Sequence, residues 1–151
     1  MKLLRNISKE LRKCNNNTPE FSLKGKKKLC KVVSIYDGDT CRVVFDVKGT
    51  IYKWNVRMEG YDSPEMRPSR SNPNRDAEKK AALESKNFLK SLIQKDSDQL
   101  IYIECGEFDK YGRLLGTLYI NENDTISVNQ QMIDSKHGYV YNGGTKEVFK
   151  G

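Results

Sequence analysis

The chain has 151 residues, 36% of them hydrophobic and 31% charged, with a mean hydropathy of −0.75 and a net charge of +7. That length favours one domain with a sizeable core, and no run approaches the ~18 to 20 apolar residues of a membrane span. Four cysteines without CxxC spacing argue against a zinc cluster, and a single histidine excludes any mechanism that needs two imidazoles.

The charge is unevenly spread. Residues 1–31 carry ten Lys/Arg against two Glu, whereas the rest carry seventeen Lys/Arg against eighteen Asp/Glu. The excess therefore sits in an N-terminal arm, and it points to an anionic partner, nucleic acid before an acidic membrane. Residues 1–13 read as a short helix with Leu3, Leu4, Ile7 and Leu11 on one face, or as a solvated leader. Charges scattered through "MKLLRNISKELRKC" argue against a secretory signal, so a soluble, cytoplasmic or otherwise intracellular protein is expected. "CNNNTPEFSLKGKKK" reads as a polar linker whose "KGKKK" run either holds phosphates loosely or only solubilises. The division expected is a basic arm, 1–28, and a domain, 29–151.

From Leu29 onward "LCKVVSIY", "TCRVVFDV" and "TIYKWNVRM" are β-rich and joined at Asp37-Gly38 and Lys48-Gly49, a three-strand meander. Cys30 and Cys41 fall in these strands as buried structural thiols. Pro64, Pro68 and Pro73 forbid regular structure through most of a loop from Glu59 to Asn74. Arg75 to Ile93 is helical, with Ala81, Ser85, Phe88 and Leu92 on one face and Ala82, Leu89 and Ile93 beside them. Asp76 and Glu78 lie in its first turn, where the helix dipole favours them. Strands follow at "QLIYIEC" and "RLLGTLYI". Ser127 and Gln130 are spaced as a capping box for a short helix that Gly138 closes, with His137 as a C-cap residue. "YVY" is a last short strand. Such an order predicts an α+β, mainly β fold: a five-stranded barrel of the oligonucleotide/oligosaccharide-binding (OB) type with two or three helices.

No Ser–His–Asp order or G-x-x-x-x-G-K-[ST] loop is present, so the remaining chemistry is that of oxygen ligands. Asp39, Asp62 and Glu65 stand near two turns, and Arg57 and Arg113 accompany them. Phosphodiester hydrolysis requires charge shielding, a positioned water and donors for the charge growing on phosphate oxygens. Two carboxylates can hold a hard cation such as calcium, a third can take a proton from water, and guanidiniums grip phosphate bidentately. Each piece also has a plainer reading: Asp39 as a turn flank, "DSPE" as an Asx-turn, "DKYGR" as a hairpin loop.

Three blocks, "VVSIYDGDT", "RMEGYDSPE" and "FDKYGRLLGTLYI", occur in an order and spacing that resemble the staphylococcal nuclease (thermonuclease) family, over about residues 29–144. "YVY" is a weaker fourth match. The resemblance implies calcium held by Asp39, Asp62 and the backbone carbonyl of Ser63, with Glu65 as general base and Arg57 and Arg113 on the phosphate. It further implies nucleotide contacts from Lys110, Tyr111, Tyr139 and Tyr141, the tyrosines being equally readable as core. The activity implied is that of a calcium-dependent, sugar-nonspecific endonuclease, expected as a monomer, that acts on DNA and RNA and leaves 3′-phosphate ends. Single-stranded or frayed substrate suits stacking on an aromatic face.

This chain departs from the family in four ways. Ser63 replaces the usual threonine, "RPSRSNPNR" replaces a lysine-rich loop while staying basic, the final long helix has no expected counterpart, and the arm has none in the family. Two alternatives stand beside the nuclease reading. One is a non-catalytic OB-type nucleic-acid-binding module; the other makes the arm the working part, docking a partner or membrane.

Overall fold

Strand alternation sets the architecture of the computed structural model, which describes residues 6–141. In β2 (Thr40–Val47) Cys41, Val43 and Phe45 are buried, and in β6 (Leu114–Tyr119) Leu114, Gly116 and Leu118 are. Every second residue points inward, as a strand with one wetted face requires. β1 (Lys27–Asp37), β2, β3 (Thr50–Met58), β6 and β5 (Ile101–Phe108) close into a barrel in that spatial order. Neighbours run antiparallel except β3 and β6, which are parallel with Val56 opposite Leu114. This is the mainly β OB barrel expected, with three helices. Lys48 and Gly49 both take left-handed φ, 52° and 89°, the conformation that a two-residue hairpin between right-twisted strands demands.

The helix α2 (Arg75–Ile93) covers the barrel, and its buried ridge is Glu78, Ala82, Ser85, Leu89 and Ile93. The expected face is therefore rotated: Ala81, Phe88 and Leu92 lie half-buried at its margin. Glu78 is no solvated dipole partner. It is buried, and its carboxylate accepts from Glu65 N at 2.9 Å and Asn72 Nδ2 at 3.1 Å, pinning the loop that precedes the helix.

The short helix α3 (Val128–Asp134) starts on Ser127, whose hydroxyl accepts from Gln130 N at 3.0 Å. The Gln130 side chain goes forward to Asp134 rather than back, so only half of the capping box forms. Nor does Gly138 close the helix. Lys136, at φ 64°, takes the left-handed position, and His137 N returns to Met132 O at 2.9 Å in a Schellman closure. Gly138 is glycine for another reason: a Cβ there would lie 2.5 Å from the Tyr61 ring. The His137 ring stacks on Phe88 at 4.6 Å.

Two further boundaries differ from expectation. Tyr61–Asp62 is not loop but a two-residue strand, β4, paired with β7 (Tyr139–Val140). The barrel also begins before residue 29. Lys27 opens β1, Gly25 N and Lys26 O bond Cys105, and Leu23 is buried in the core at 2% exposure. Upstream, α1 (Ile7–Arg12) buries nothing, with Ile7 and Leu11 exposed. Leu3, Leu4 and the segment where a final helix was not expected lie outside the described residues. Cys30 and Cys41 are buried free thiols, and burial pushes that of Cys30 up to about 12. No helix among the described residues is long and apolar enough to cross a membrane.

Candidate active site

Two chain reversals meet at one end of the barrel. Register shifts in β1, the second between Ile35 and Asp37, re-aim the strand just before its turn into β2. Gly38 permits this turn to sit tight against α2, because a Cβ would fall 2.0 Å from Ser85 Oγ and 2.8 Å from Ser63 Cβ. The buried Tyr61 hydroxyl donates to Gly38 O at 2.6 Å, and Ser63 N donates to Asp39 Oδ2 at 2.8 Å. The β1–β2 turn and β4 are thus clamped together. Burial pushes the Tyr61 phenol well up, so it stays a donor.

Asp39, Asp62 and Ser63 are buried as a group, at 6%, 5% and 1% exposure. Between the two aspartates lies the Arg57 guanidinium. Its Nη1 is 3.4 Å from Asp39 Oδ2, and Nη2 bonds Asp62 Oδ1. Nη1 also donates to Met58 O at 3.0 Å and Tyr61 O at 2.8 Å. A guanidinium buried this far requires such partners, since an unpaired one carries a large desolvation penalty.

Asp37, read from the sequence only as a turn residue, belongs to the same cluster. Asp39 N donates to Asp37 Oδ1 at 3.1 Å. Burial pushes the Asp37 carboxyl up to about 7, with the Asp39 charge adding to the shift. Burial acts upward on Asp39 too, but Arg57 and the hydrogen bonds from Asp37, Ser63 N and Thr40 outweigh it and hold Asp39 below its ordinary value. Asp37 therefore holds its proton more tightly than Asp39 does.

Arg57 reaches through to a cleft of about 520 Å³, where Lys110, Tyr111, Arg113, Leu115 and Tyr141 also form walls. Arg113 comes from the β5–β6 hairpin, where Gly112 takes φ 81°. Its Nε donates to Asp109 Oδ2 at 2.8 Å, and Asp109 Oδ1 accepts from the backbone N of Tyr111 and Arg113. Burial raises Asp109, but its bonds from Arg113 win and hold it low. Lys110 Nζ and Arg113 Cζ stand 5.2 and 5.4 Å from the Tyr111 ring, itself exposed at the lip. Arg113 is also a wall of a second hollow of about 360 Å³ beside Thr40, Arg42 and Asn55.

Of the ten residues singled out from sequence, Asp39, Asp62, Ser63 and Arg57 form one bonded cluster, while Arg57, Arg113, Lys110, Tyr111 and Tyr141 share the cleft. Glu65 and Tyr139 are not walls of that cleft. Glu65 is exposed, three residues past Asp62, and Tyr139 pairs with Asp62 across β4–β7. The anchors Glu78, Asp109 and Tyr61 were missed as site residues. Only Asp109 carried a signal, its i,i+4 spacing to Arg113.

No group of three or more His, Cys, Asp or Glu suited to a metal occurs among the described residues. What the cluster offers is oxygen: two carboxylates, and Ser63 Oγ, which is buried without a hydrogen-bond partner. Such a donor set fits a hard cation and not zinc.

A family model described as "Staphylococcal nuclease homologue" matches residues 55–146. The span takes in Arg57, Asp62, Ser63, Glu65 and the β5–β6 hairpin, while Asp39 precedes it. The uncharacterized protein MJ1439 of Methanocaldococcus jannaschii is 31% identical over 123 residues, covering 72% of this chain and 56% of its own. An uncharacterized protein of Bacillus anthracis, pXO1-141, is 34% identical over 110 residues, covering 73% and 46%. The chain thus spans about half the length of these curated relatives. With the family match extending over more than half its length, the chain belongs to the staphylococcal nuclease homologue family.

Proposed function

We propose that the protein is a calcium-dependent endonuclease that hydrolyses phosphodiester bonds of DNA and RNA without sugar preference and leaves 3′-phosphate ends. The observation that carries this reading is the position of Arg57. It backs onto Asp39 and Asp62 while forming a wall of the cleft that holds Arg113, Lys110 and two tyrosines. Anion recognition and a hard-cation donor set therefore adjoin.

In this reading Asp39, Asp62 and the Ser63 carbonyl hold calcium, with water completing the 6 to 8 oxygens it takes. When bound, the ion supplies charge neutralisation beside the scissile phosphate. Arg57 and Arg113 grip the phosphate oxygens, with Asp109 setting the direction of Arg113. Tyr111, with Lys110 over its ring, offers an exposed stacking face that tolerates any base. Glu65, on the exposed loop after Ser63, receives the proton of the attacking water.

A non-catalytic binding module is favoured by one observation: both arginines are already ion-paired within the chain. Product chemistry separates the readings. DNA incubated with the protein in calcium should yield fragments whose 3′ ends a polymerase extends only after phosphatase treatment. Ends that extend directly would refute the proposed bond cleavage, and intact DNA would favour the module.

A further inference from the structure

Beyond the cleft just described, one hollow of about 650 Å³ lies between the loop after Glu65 and the start of α2. Arg67 and Arg70 stand on the loop side, and Arg75 and Lys79 on the helix side. Four and eight residues on from Arg75 along α2, Lys79 and Leu83 continue one stripe of the helix surface. No carboxylate lines the hollow, and no salt bridge among the described residues involves any of the four cations. Arg75 Nε is buried and lacks a hydrogen-bond partner. A donor desolvated in this way is costly unless a ligand accepts from it.

The loop wall is also held in place. Glu78 accepts from Glu65 N and from Asn72 Nδ2, tying both ends of the loop to α2. Both Glu78 oxygens are thereby turned to the loop, and Glu78 is not among the residues that line the hollow. Leu83, 52% exposed, and Pro68 add apolar surface between the cations. Arg67 lies two residues past Glu65, so the hollow adjoins the proposed hydrolytic site along the chain.

We propose that this hollow is a second phosphate-binding subsite, which takes the backbone of a single nucleic-acid strand as it leaves the cleavage site. The proposal rests on the nuclease reading for its direction, not for its chemistry. Four cations beside an apolar floor suit a polyanion, and their dispersion over two walls suits successive phosphates better than one free ion.

The test is binding without turnover. A fluorescent thymidine oligonucleotide of about 12 nucleotides, within the ~4 to 16 that one OB fold spans, is titrated in chelator at several salt concentrations. The double variant Arg70→Ala/Lys79→Ala, both exposed positions, should flatten the log affinity against log salt slope by about 1.4, or ~0.7 for each phosphate no longer neutralised. Arg70→Lys/Lys79→Arg should restore it. Binding of a dinucleotide, too short to reach both places, should not change.

An unaltered slope in a variant with a wild-type circular dichroism spectrum overturns the subsite. Equal weakening of dinucleotide and long strand overturns it too, as does wild-type protein that binds phosphatidylserine vesicles but not the oligonucleotide. The two readings fail separately. Protein that shows the predicted slope change yet never cleaves DNA in calcium loses the nuclease and keeps the subsite; cleavage with an unchanged slope does the reverse.

Discussion

The hydroxyl of Tyr61 donates to the carbonyl oxygen of Gly38 at 2.6 Å, joining two turns 23 residues apart in the chain. It is this bond, with Ser63 N to Asp39, that sets Asp39 beside Asp62. Tyr61→Phe leaves the ring packed but the Gly38 carbonyl unsatisfied, at a cost of about 1 to 3 kcal/mol in urea unfolding. Turnover of denatured DNA, assayed far below the melting temperature, should fall as well. A variant with reduced stability and full turnover would show that the spacing of the turns does not matter to the chemistry.

Arg57 is paired with two buried carboxylates. Arg57→Met should therefore destabilise the protein by about 3 to 5 kcal/mol in chelator, because it strands Asp39 and Asp62. If those carboxylates also hold calcium, adding the ion should raise the melting temperature of the variant more than that of wild type, by mass action on the folded state. Melting curves with and without calcium decide this. Identical shifts in the two proteins would separate the arginine from the cation site.

Asp37 gives a pH dependence with a defined sign. Its folded-state carboxyl is pushed up to about 7, above the value near 4 of an unfolded chain. The folded state therefore binds the proton more tightly. The stabilisation is complete below about pH 4 and is lost as pH rises through about 7. Chemical denaturation of the protein in chelator should show stability falling across that window, and Asp37→Asn should flatten the fall. Stability that rises between these limits in wild type alone would contradict the protonated carboxyl.

Leu23 is buried in the core although it precedes β1. Leu23→Ala should cost about 2 to 5 kcal/mol, as for other fully buried leucines. We propose that the residues before it form a basic arm that adds affinity for polyanions, so deletion of residues 1–19 should leave the melting temperature unchanged while weakening DNA association and its salt dependence. Unfolding on that deletion would place the domain boundary earlier still.

Local patterning carried most of the barrel. The Lys48-Gly49 turn, the limits of α2 and the Ser127 cap all arise from interactions within a few residues, which a sequence displays directly. What it concealed depends on contacts between distant segments. β4 is two residues long and exists because β7 pairs with it, so no periodicity announces it. Glu78 resembles any first-turn acid until the loop folds back on it. Gly138 and Gly38 read as turn glycines, yet their neighbours exclude a side chain. In the site, Asp39, Asp62 and the arginines could be named from their turns. The upward shift of Asp37 could not, since it follows from burial beside a second carboxylate.

The central claim is metal-assisted hydrolysis at the oxygen cluster, and one comparison tests it most directly. Heat-denatured DNA is incubated with wild-type protein in calcium, in chelator, and with Asp62→Asn in calcium. The account predicts degradation in the first case, intact DNA in the second, and a rate lower by about 10² to 10³ in the third, the scale of losing one preorganised charge-stabilising group. Degradation that ignores the chelator, or wild-type protein that binds DNA in calcium without cutting it, would contradict the account.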